Sequence, residues 1–230
     1  MGRFQGFPAE GFGFLDELAL NNNKQWFDSY RPQFDEYLLE PAKAYVLELG
    51  EKLQAQISPG IHAEPRINGS IMRMNRDIRF SKDKSPYKTW FGLWFWEGDH
   101  RSMECSGFYL GITPGEATLG AGRHGFEKES LDRYRAAVVD PRRGPELQQA
   151  LEAVRKAGDY EIGGRSYKQV PARFDRNHER ADLLLYSGLH AGVTLADPPE
   201  LHTPGFVDLS LRHYRAMAPL HRWLVKVAAG

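Results

Sequence analysis

The chain is short of several things, and each shortage narrows what it is. It holds one cysteine, Cys105, which excludes an internal disulfide and suits a reducing compartment. Its longest apolar run, Trp90–Trp96, is seven residues and still contains a glycine, far below the ~20 needed to cross a bilayer as a helix. The start, Met1-Gly2-Arg3-Phe4-Gln5, has no apolar stretch of the kind that directs secretion. Position 6 is Gly rather than Ser or Thr, so N-myristoylation is not supported. There is no excess of either charge: 30 basic residues balance 30 acidic ones. That balance argues against a general nucleic-acid coat or a membrane-surface protein. Low-complexity tracts, internal repeats and obvious linkers are absent. What is there is 230 residues with 41% hydrophobic content, enough for a sizeable core without disulfides or metal. The 23 glycines and 14 prolines, about one residue in six, imply many turns.

The neutral total hides a segregation. Residues 1–65 carry 5 cations against 10 acids. Arg66–Lys88 carries 7 cations against only Asp77 and Asp83. Leu209–Gly230 has Arg212, Arg215, Arg222 and Lys226 and no acid. Cations at the end of a final helix complement its macrodipole. The central excess has no such ready explanation.

Periodicity separates helical ends from an extended middle. Phe14, Leu15 and Leu18 fall at helical spacing, and Asn21-Asn22-Asn23 supplies a turn and an N-cap. Trp26, Phe27, Tyr30, Phe34, Tyr37 and Leu38 make one apolar stripe. Pro32 must kink that helix or open another, and Pro41 raises the same question. Tyr45, Val46, Leu49 and Leu53 continue helically to Ser58-Pro59-Gly60. Asn68-Gly69 is a turn signal. Trp90–Trp96 is predicted as a buried strand. Gly107–Thr113 and Glu116–Ala121 around Pro114-Gly115 are predicted as a hairpin. Two helices follow, around Leu131–Val138 and Leu147–Val154. After a break at Gly163-Gly164 come a short strand at Ser166–Val170, a short helix at Ala181–Leu185 and a strand at Leu189–Leu195. A final helix from Phe206 is interrupted or bent at Pro219. Helices at both ends and hairpins between them predict an α+β fold: a mostly antiparallel sheet with helices from both termini packed on it, in a single domain over residues 1–230.

Several motifs fail on context. Gly120–Gly125 matches G-x-G-x-x-G, but its strand belongs to a hairpin and a helix, not a strand, follows the next helix. A glycine-rich turn is the better reading than a dinucleotide site. Ser81-x-x-Lys84 and Ser85-x-x-Lys88 match the serine–lysine acyl-transfer signature. Pro86 and the charge density disfavour the helix that chemistry needs, and no Lys-Thr-Gly follows. There is no G-x-S-x-G. The eight histidines show no metal-ligand spacing, with Asp175-x-x-His178 the nearest approach, so neither metal nor cofactor is expected. Cys105 reads as a packed thiol on a strand.

The strongest constellation is Arg73-x-x-Arg76-Asp77-x-Arg79-Phe80-Ser81-Lys82-Asp83-Lys84-Ser85-Pro86-Tyr87-Lys88. Two cations ~6 Å apart repel by roughly 0.7 kcal/mol in water and about 3 kcal/mol at an effective dielectric of 20. Six cations in so short a stretch need counter-charges, and the stretch itself supplies only Asp77 and Asp83. Arginine suits bidentate grip on carboxylate or phosphate, and lysine acts as a point charge. Ser81, Ser85 and Tyr87 add hydroxyls. These are the parts of an oxyanion cradle. Arg73, Arg76 and Arg79 would grip, Lys82, Lys84 and Lys88 would add field, and Asp77 would orient an arginine or exchange a proton. The competing reading is structural: the acidic helices of residues 1–65 dock here and pair with the arginines. A second, weaker cluster, Lys168, Arg173 and His178, falls on a loop after Pro171.

The Arg73–Lys88 stretch resembles the signature of a bacterial and fungal family known as domain of unknown function 2461. Phe14-Leu15-x-x-Leu18-x-x-Asn21-Asn22 with Trp26-Phe27, Lys168-x-Val170-Pro171-x-x-Phe174, and Pro219-Leu220-x-x-Trp223-Leu224 are similar to its other blocks. Trp90 and Glu179 depart from the family pattern, which has a polar residue and a proline there. The resemblance implies a single-domain cytoplasmic protein and implies no activity. The expected ligand is an anionic, phosphate-bearing small molecule at residues 73–88, whether or not a reaction follows. The alternatives are an acidic protein partner, or single-stranded nucleic acid stacked on Trp90, Phe91, Trp94, Phe95 and Trp96. Sequence does not fix the oligomeric state.

Overall fold

A computed structural model of the chain describes residues 2–99 and 104–229. The fold is α+β, with one six-stranded antiparallel sheet and helices around it. In chain order the helices are α1 (Ala9–Leu20), α2 (Lys24–Ser29), α3 (Arg31–Phe34), α4 (Glu40–Gln56), α5 (Lys128–Val139), α6 (Arg143–Ala157) and α7 (Phe206–Ala228). The strands are β1 (Ile61–His62), β2 (Phe91–Glu97), β3 (Ser106–Thr113), β4 (Glu116–Arg123), β5 (Glu161–Arg165) and β6 (Tyr186–Ala196), lying in the order β1-β2-β3-β4-β6-β5. Among the described residues no helix is long and apolar enough to cross a membrane.

The chain divides into two compact units. The first comprises Met1–Phe95, Tyr109–Leu119 and Thr194–Arg212; the second comprises Trp96–Phe108, Gly120–Val193 and His213–Gly230. The first unit is built around aromatic rings. Phe4 and Phe7 meet Tyr45 at 5.1 and 5.7 Å, and Tyr45 stacks on Phe206 at 5.6 Å. The buried Tyr45 hydroxyl donates to Ser210 Oγ at 2.7 Å, so a polar tip inside the core does not go unbonded. In the second unit Tyr134 lies across Trp223 at 6.0 Å and donates to the Leu183 carbonyl at 2.8 Å. Burial pushes that phenol's pKa far up.

The prolines behave as their chemistry requires. Pro32 sits in the first turn of α3, where its missing N–H costs nothing. Pro41 falls in the first turn of α4, directly after a π-helical turn at Asp35–Leu39, so the helix passes it without a break. Pro219 lies inside α7, which continues past it to Ala228 instead of stopping. The asparagine run splits its duties: Asn23 caps α2 by accepting from the Trp26 N–H at 3.0 Å, and Asn22 is left for another task. Asn68 takes the left-handed conformation (φ 63°) that its turn needs.

Two sequence expectations require correction. The strand predicted at Ser166–Val170 lies earlier, at Glu161–Arg165, with Gly163-Gly164 inside it rather than before it. Gly164 has φ +104° at an irregularity in the β5–β6 register. A Cβ there would meet the Gly188 carbonyl oxygen at 2.2 Å, so the glycine makes the bulge instead of ending the strand. Residues 166 and 167 both donate backbone N–H groups to the Leu185 carbonyl and are not a strand. Cys105 is buried but precedes β3 rather than sitting on it. The Gly120–Gly125 run closes β4 in an antiparallel sheet. Gly122 (φ +124°) lets the chain approach the Leu189 carbonyl, which a Cβ would meet at 2.4 Å. Its glycines serve strand packing, and among the described residues no parallel βαβ unit is formed for a dinucleotide.

Candidate anion-binding loop

Residues 67–94 of the first unit run out and back. Met72 N–H donates to the Gly92 carbonyl at 2.9 Å, Trp94 N–H to Ser70 at 2.8 Å, Lys88 N–H to Met74 at 2.8 Å and Arg76 N–H to Pro86 at 2.8 Å. An antiparallel bridge between Asn75 and Tyr87 pinches the chain, leaving residues 76–86 as a loop without helix or strand. Charge repulsion and Pro86 explain why no regular element forms here.

The base of this loop is clamped from the N-terminal helices by Asn22. Its Oδ1 accepts from the Tyr87 N–H at 3.0 Å and its Nδ2 donates to the Tyr87 carbonyl at 3.0 Å. One amide side chain thus satisfies both backbone groups of a buried residue, as a neighbouring strand would. The Tyr87 ring stacks on Phe27 at 4.2 Å with 15° between planes. Tyr87 therefore anchors the loop with its ring and backbone.

The loop pairs its own acids with its own arginines. Arg76 forms an ion pair with Asp83 and reaches the Ser85 carbonyl at 3.3 Å and Ser81 Oγ at 3.4 Å. Arg79 grips Asp77 through Nε at 3.0 Å and a terminal nitrogen at 2.6 Å, and its N–H donates to the same carboxylate at 3.2 Å. These bonds to Arg79 hold the Asp77 pKa down, from 3.8 to about 2. Asp83 is held further down, first by the Ser85 hydroxyl and N–H and then by Arg76. Among the described residues, no acid from residues 1–65 pairs with any cation of Arg73–Lys88. The acids there that form ion pairs serve neighbours such as Lys24, Arg31, Lys43 and Arg66. The N-terminal segment does dock at the base of the loop, through Asn22 and Phe27, but the arginines Arg76 and Arg79 take the loop's own aspartates instead of that segment's acids.

Two aspartates cannot neutralise six cations. Arg73, Lys82, Lys84 and Lys88 have no carboxylate partner among the described residues. Lys84 donates to the Ile78 carbonyl at 3.0 Å. Lys88 is half-buried, donates to the Arg73 carbonyl at 2.9 Å and lies 4.6 Å over the Trp90 ring. Burial, and then the nearby Arg73 charge, push its pKa below the usual 10.5. Beside it opens a cleft of about 590 Å³ lined by Asn22, Arg76, Asp83, Ser85, Lys88 and Trp90, with Asp77 and Tyr87 also at its wall. Of the sequence candidates, Arg76, Asp77, Tyr87 and Lys88 thus share the cleft. Arg73, Arg79, Ser81, Lys82 and Lys84 do not line it; Arg79, Lys82 and Lys84 are exposed, Arg79 on Asp77 and Lys84 on the Ile78 carbonyl. Sequence reasoning missed Asn22, read as part of a turn, and the half-exposed Trp90, read as core.

The second cluster is a different object. Lys168, Arg173 and His178 belong to the second unit, the Arg73–Lys88 loop to the first. Lys168 is exposed, Arg173 pairs with Asp132, and His178 Nδ1 accepts from the Arg180 N–H at 3.0 Å. The Asp175 carbonyl accepts from the His178 N–H, a local turn and not a metal chelate. Among the described residues no three of His, Cys, Asp and Glu gather to hold a metal ion. The aromatic platform proposed for nucleic acid is also spoken for: Phe91, Trp94, Phe95 and Trp96 are buried in the core. Neither Ser81 nor Ser85 sits on a helix with its lysine, so the serine–lysine motifs do not form a dyad.

Residues 10–223 match the family model described as Conserved hypothetical protein (DUF2461). No curated protein matches the chain.

Proposed function

Taking as premise that the chain belongs to the DUF2461 family of conserved hypothetical proteins, we propose that the cleft beside Lys88 binds a small anionic molecule bearing a phosphate group. The observation that carries this reading is Lys88 itself: a half-buried ammonium with carbonyl and ring contacts but no carboxylate among the described residues, at the wall of an open cleft. A desolvated cation without a counter-ion is a cost that an incoming anion removes. Arg76 adds a second cation at the wall and Thr89 a hydroxyl, while Ser85 gives its own hydroxyl to Asp83. Asp77 and Asp83 keep the arginines in place, so the loop is arranged before the ligand arrives. Trp90 offers a ring face on which a planar part of the ligand can stack.

The test is a thermal-shift screen of the full chain against pyrophosphate, nucleotides, sugar phosphates and phosphate-free carboxylates. A ligand that binds the folded state raises the melting temperature by linkage, increasingly as its concentration exceeds its Kd. The reading requires phosphate compounds to stabilise and simple carboxylates not to. Oligonucleotide affinity with a steep salt slope, ~0.7 per phosphate contacted on a single strand, and no response to small phosphates, favours the nucleic-acid alternative instead.

A further inference from the structure

The second unit holds a constellation of its own. β2 ends at Glu97 and its sheet neighbour β3 begins at Ser106, so both side chains stand at the same end of adjacent antiparallel strands. His221 of α7 lies between them. Its Nδ1 is 3.0 Å from Ser106 Oγ and its Nε2 is 2.9 Å from Glu97 Oε2. The imidazole is fully buried against the Phe108 ring at 4.6 Å, Ser106 is 5% exposed, and the Glu97 side chain is 18% exposed. With Glu97 ionised, the hydrogen-bond pattern assigns the ring proton to Nε2, where the carboxylate accepts it. That leaves a lone pair on Nδ1 facing the serine hydroxyl. Nucleophile, base and orienting carboxylate are thus in hydrogen-bond sequence.

Ser106 and Glu97 line a cavity of about 550 Å³ in the same unit. Its wall includes the Arg123 guanidinium, 7% exposed, and Lys128–Ser130 in the first turn of α5. The backbone N–H groups of that first turn have no intrahelical partner, and the N-cap side chain supplies none. Arg123 and these N–H groups share the cavity with Ser106 and are the donors it offers to an oxyanion. Phe126, Tyr134, Leu224 and Val227 give the cavity an apolar side.

From this the geometry points to an acyl-ester hydrolase site in which Ser106 is the nucleophile, His221 the general base and Glu97 its positioning carboxylate. Among the described residues of the lining, acids outnumber bases five to three and one side is apolar, so the substrate class is an uncharged ester with a short apolar acyl group. Ser106 Oγ attacks the acyl carbon, and its proton passes to His221 Nδ1 as the new C–O bond forms. The bond to the leaving alcohol breaks, and that alkoxide takes the proton from Nδ1. Water then attacks the acyl-serine, its proton passing through Nδ1 back to Ser106 Oγ as the carboxylic acid leaves. No G-x-S-x-G marks this site, because Ser106 opens a strand and does not sit on the strand-to-helix turn which that signature builds.

The experiment treats the folded full chain with an alkyl fluorophosphonate, maps the adduct by mass spectrometry, and follows p-nitrophenyl butyrate hydrolysis. The expected result is an adduct on Ser106. Hydrolysis should fall roughly a hundredfold or more in Ser106→Ala, and Glu97→Gln should lower kcat with KM unchanged. Absence of an adduct on Ser106 in the folded wild-type chain, or unchanged hydrolysis in Ser106→Ala, overturns the assignment and leaves the relay as a satisfied buried histidine. The wild-type adduct map decides the matter even if Ser106→Ala fails to fold.

Discussion

The Arg73–Lys88 and Lys168–His178 segments are both rich in cations, yet they are built differently. In the first, Asn22 clamps the base of a loop, two arginines take the loop's two aspartates, and Lys88 is left half-buried beside a cleft. In the second, Arg173 meets Asp132 in solvent, His178 completes a turn, and Lys168 is exposed. Charge density does not separate the two. What separates them is whether a cation is desolvated and held without a counter-ion. An exposed ion pair contributes about 0–1 kcal/mol and attracts little, whereas a dehydrated, unpaired charge favours any anion that reaches it.

The largest effect that bears on this contrast belongs to Asn22→Ala. It strips both backbone groups of a buried residue of their partners. Urea unfolding should show a loss of about 1–3 kcal/mol, and phosphate binding should weaken with it. An unchanged unfolding midpoint would mean the clamp is dispensable. Next is Lys88→Met, which keeps the stem and removes the charge. The affinity for whichever phosphate compound stabilises best should drop roughly 10- to 100-fold in calorimetry, with the fold intact.

A pH series sharpens the same point. The Lys88 pKa is depressed below 10.5, and a bound anion raises it. Affinity should therefore hold at neutral pH and fall as pH climbs through the depressed value, before ordinary lysines titrate. On the acid side, Asp77 should titrate near pH 2 instead of 3.8 in carboxylate NMR. A depressed carboxylate stabilises the folded loop above the unfolded value, and that contribution disappears as pH falls from about 3.8 through about 2. The smallest effects are those of Lys168→Ala and Arg173→Ala: within about 0.5 kcal/mol in stability and none on phosphate affinity. A loss of affinity there would erase the distinction between the segments.

The α+β class, the aromatic strand at Phe91–Glu97 and the β3–β4 hairpin were legible because period and turn chemistry are local. The glycine pair at 163–164 misled because a bulge and a break look alike in sequence. At the candidate site the charges were legible and their pairing was not. Asp77 and Asp83 lie two and seven residues from their arginines, yet distant acids in residues 1–65 matched the net charge just as well. Asn22 was out of reach, since its bond to Tyr87 spans 65 positions. The Glu97–His221–Ser106 chain was hidden for the same reason: no local spacing records a contact made by folding.

The most direct measurement is calorimetric titration of pyrophosphate into three proteins: wild type, Lys88→Met and Lys168→Met. On this account, binding should weaken roughly 10- to 100-fold in the first variant and stay unchanged in the second. Equal binding by all three, or none by the folded wild type with any phosphate compound, would contradict it.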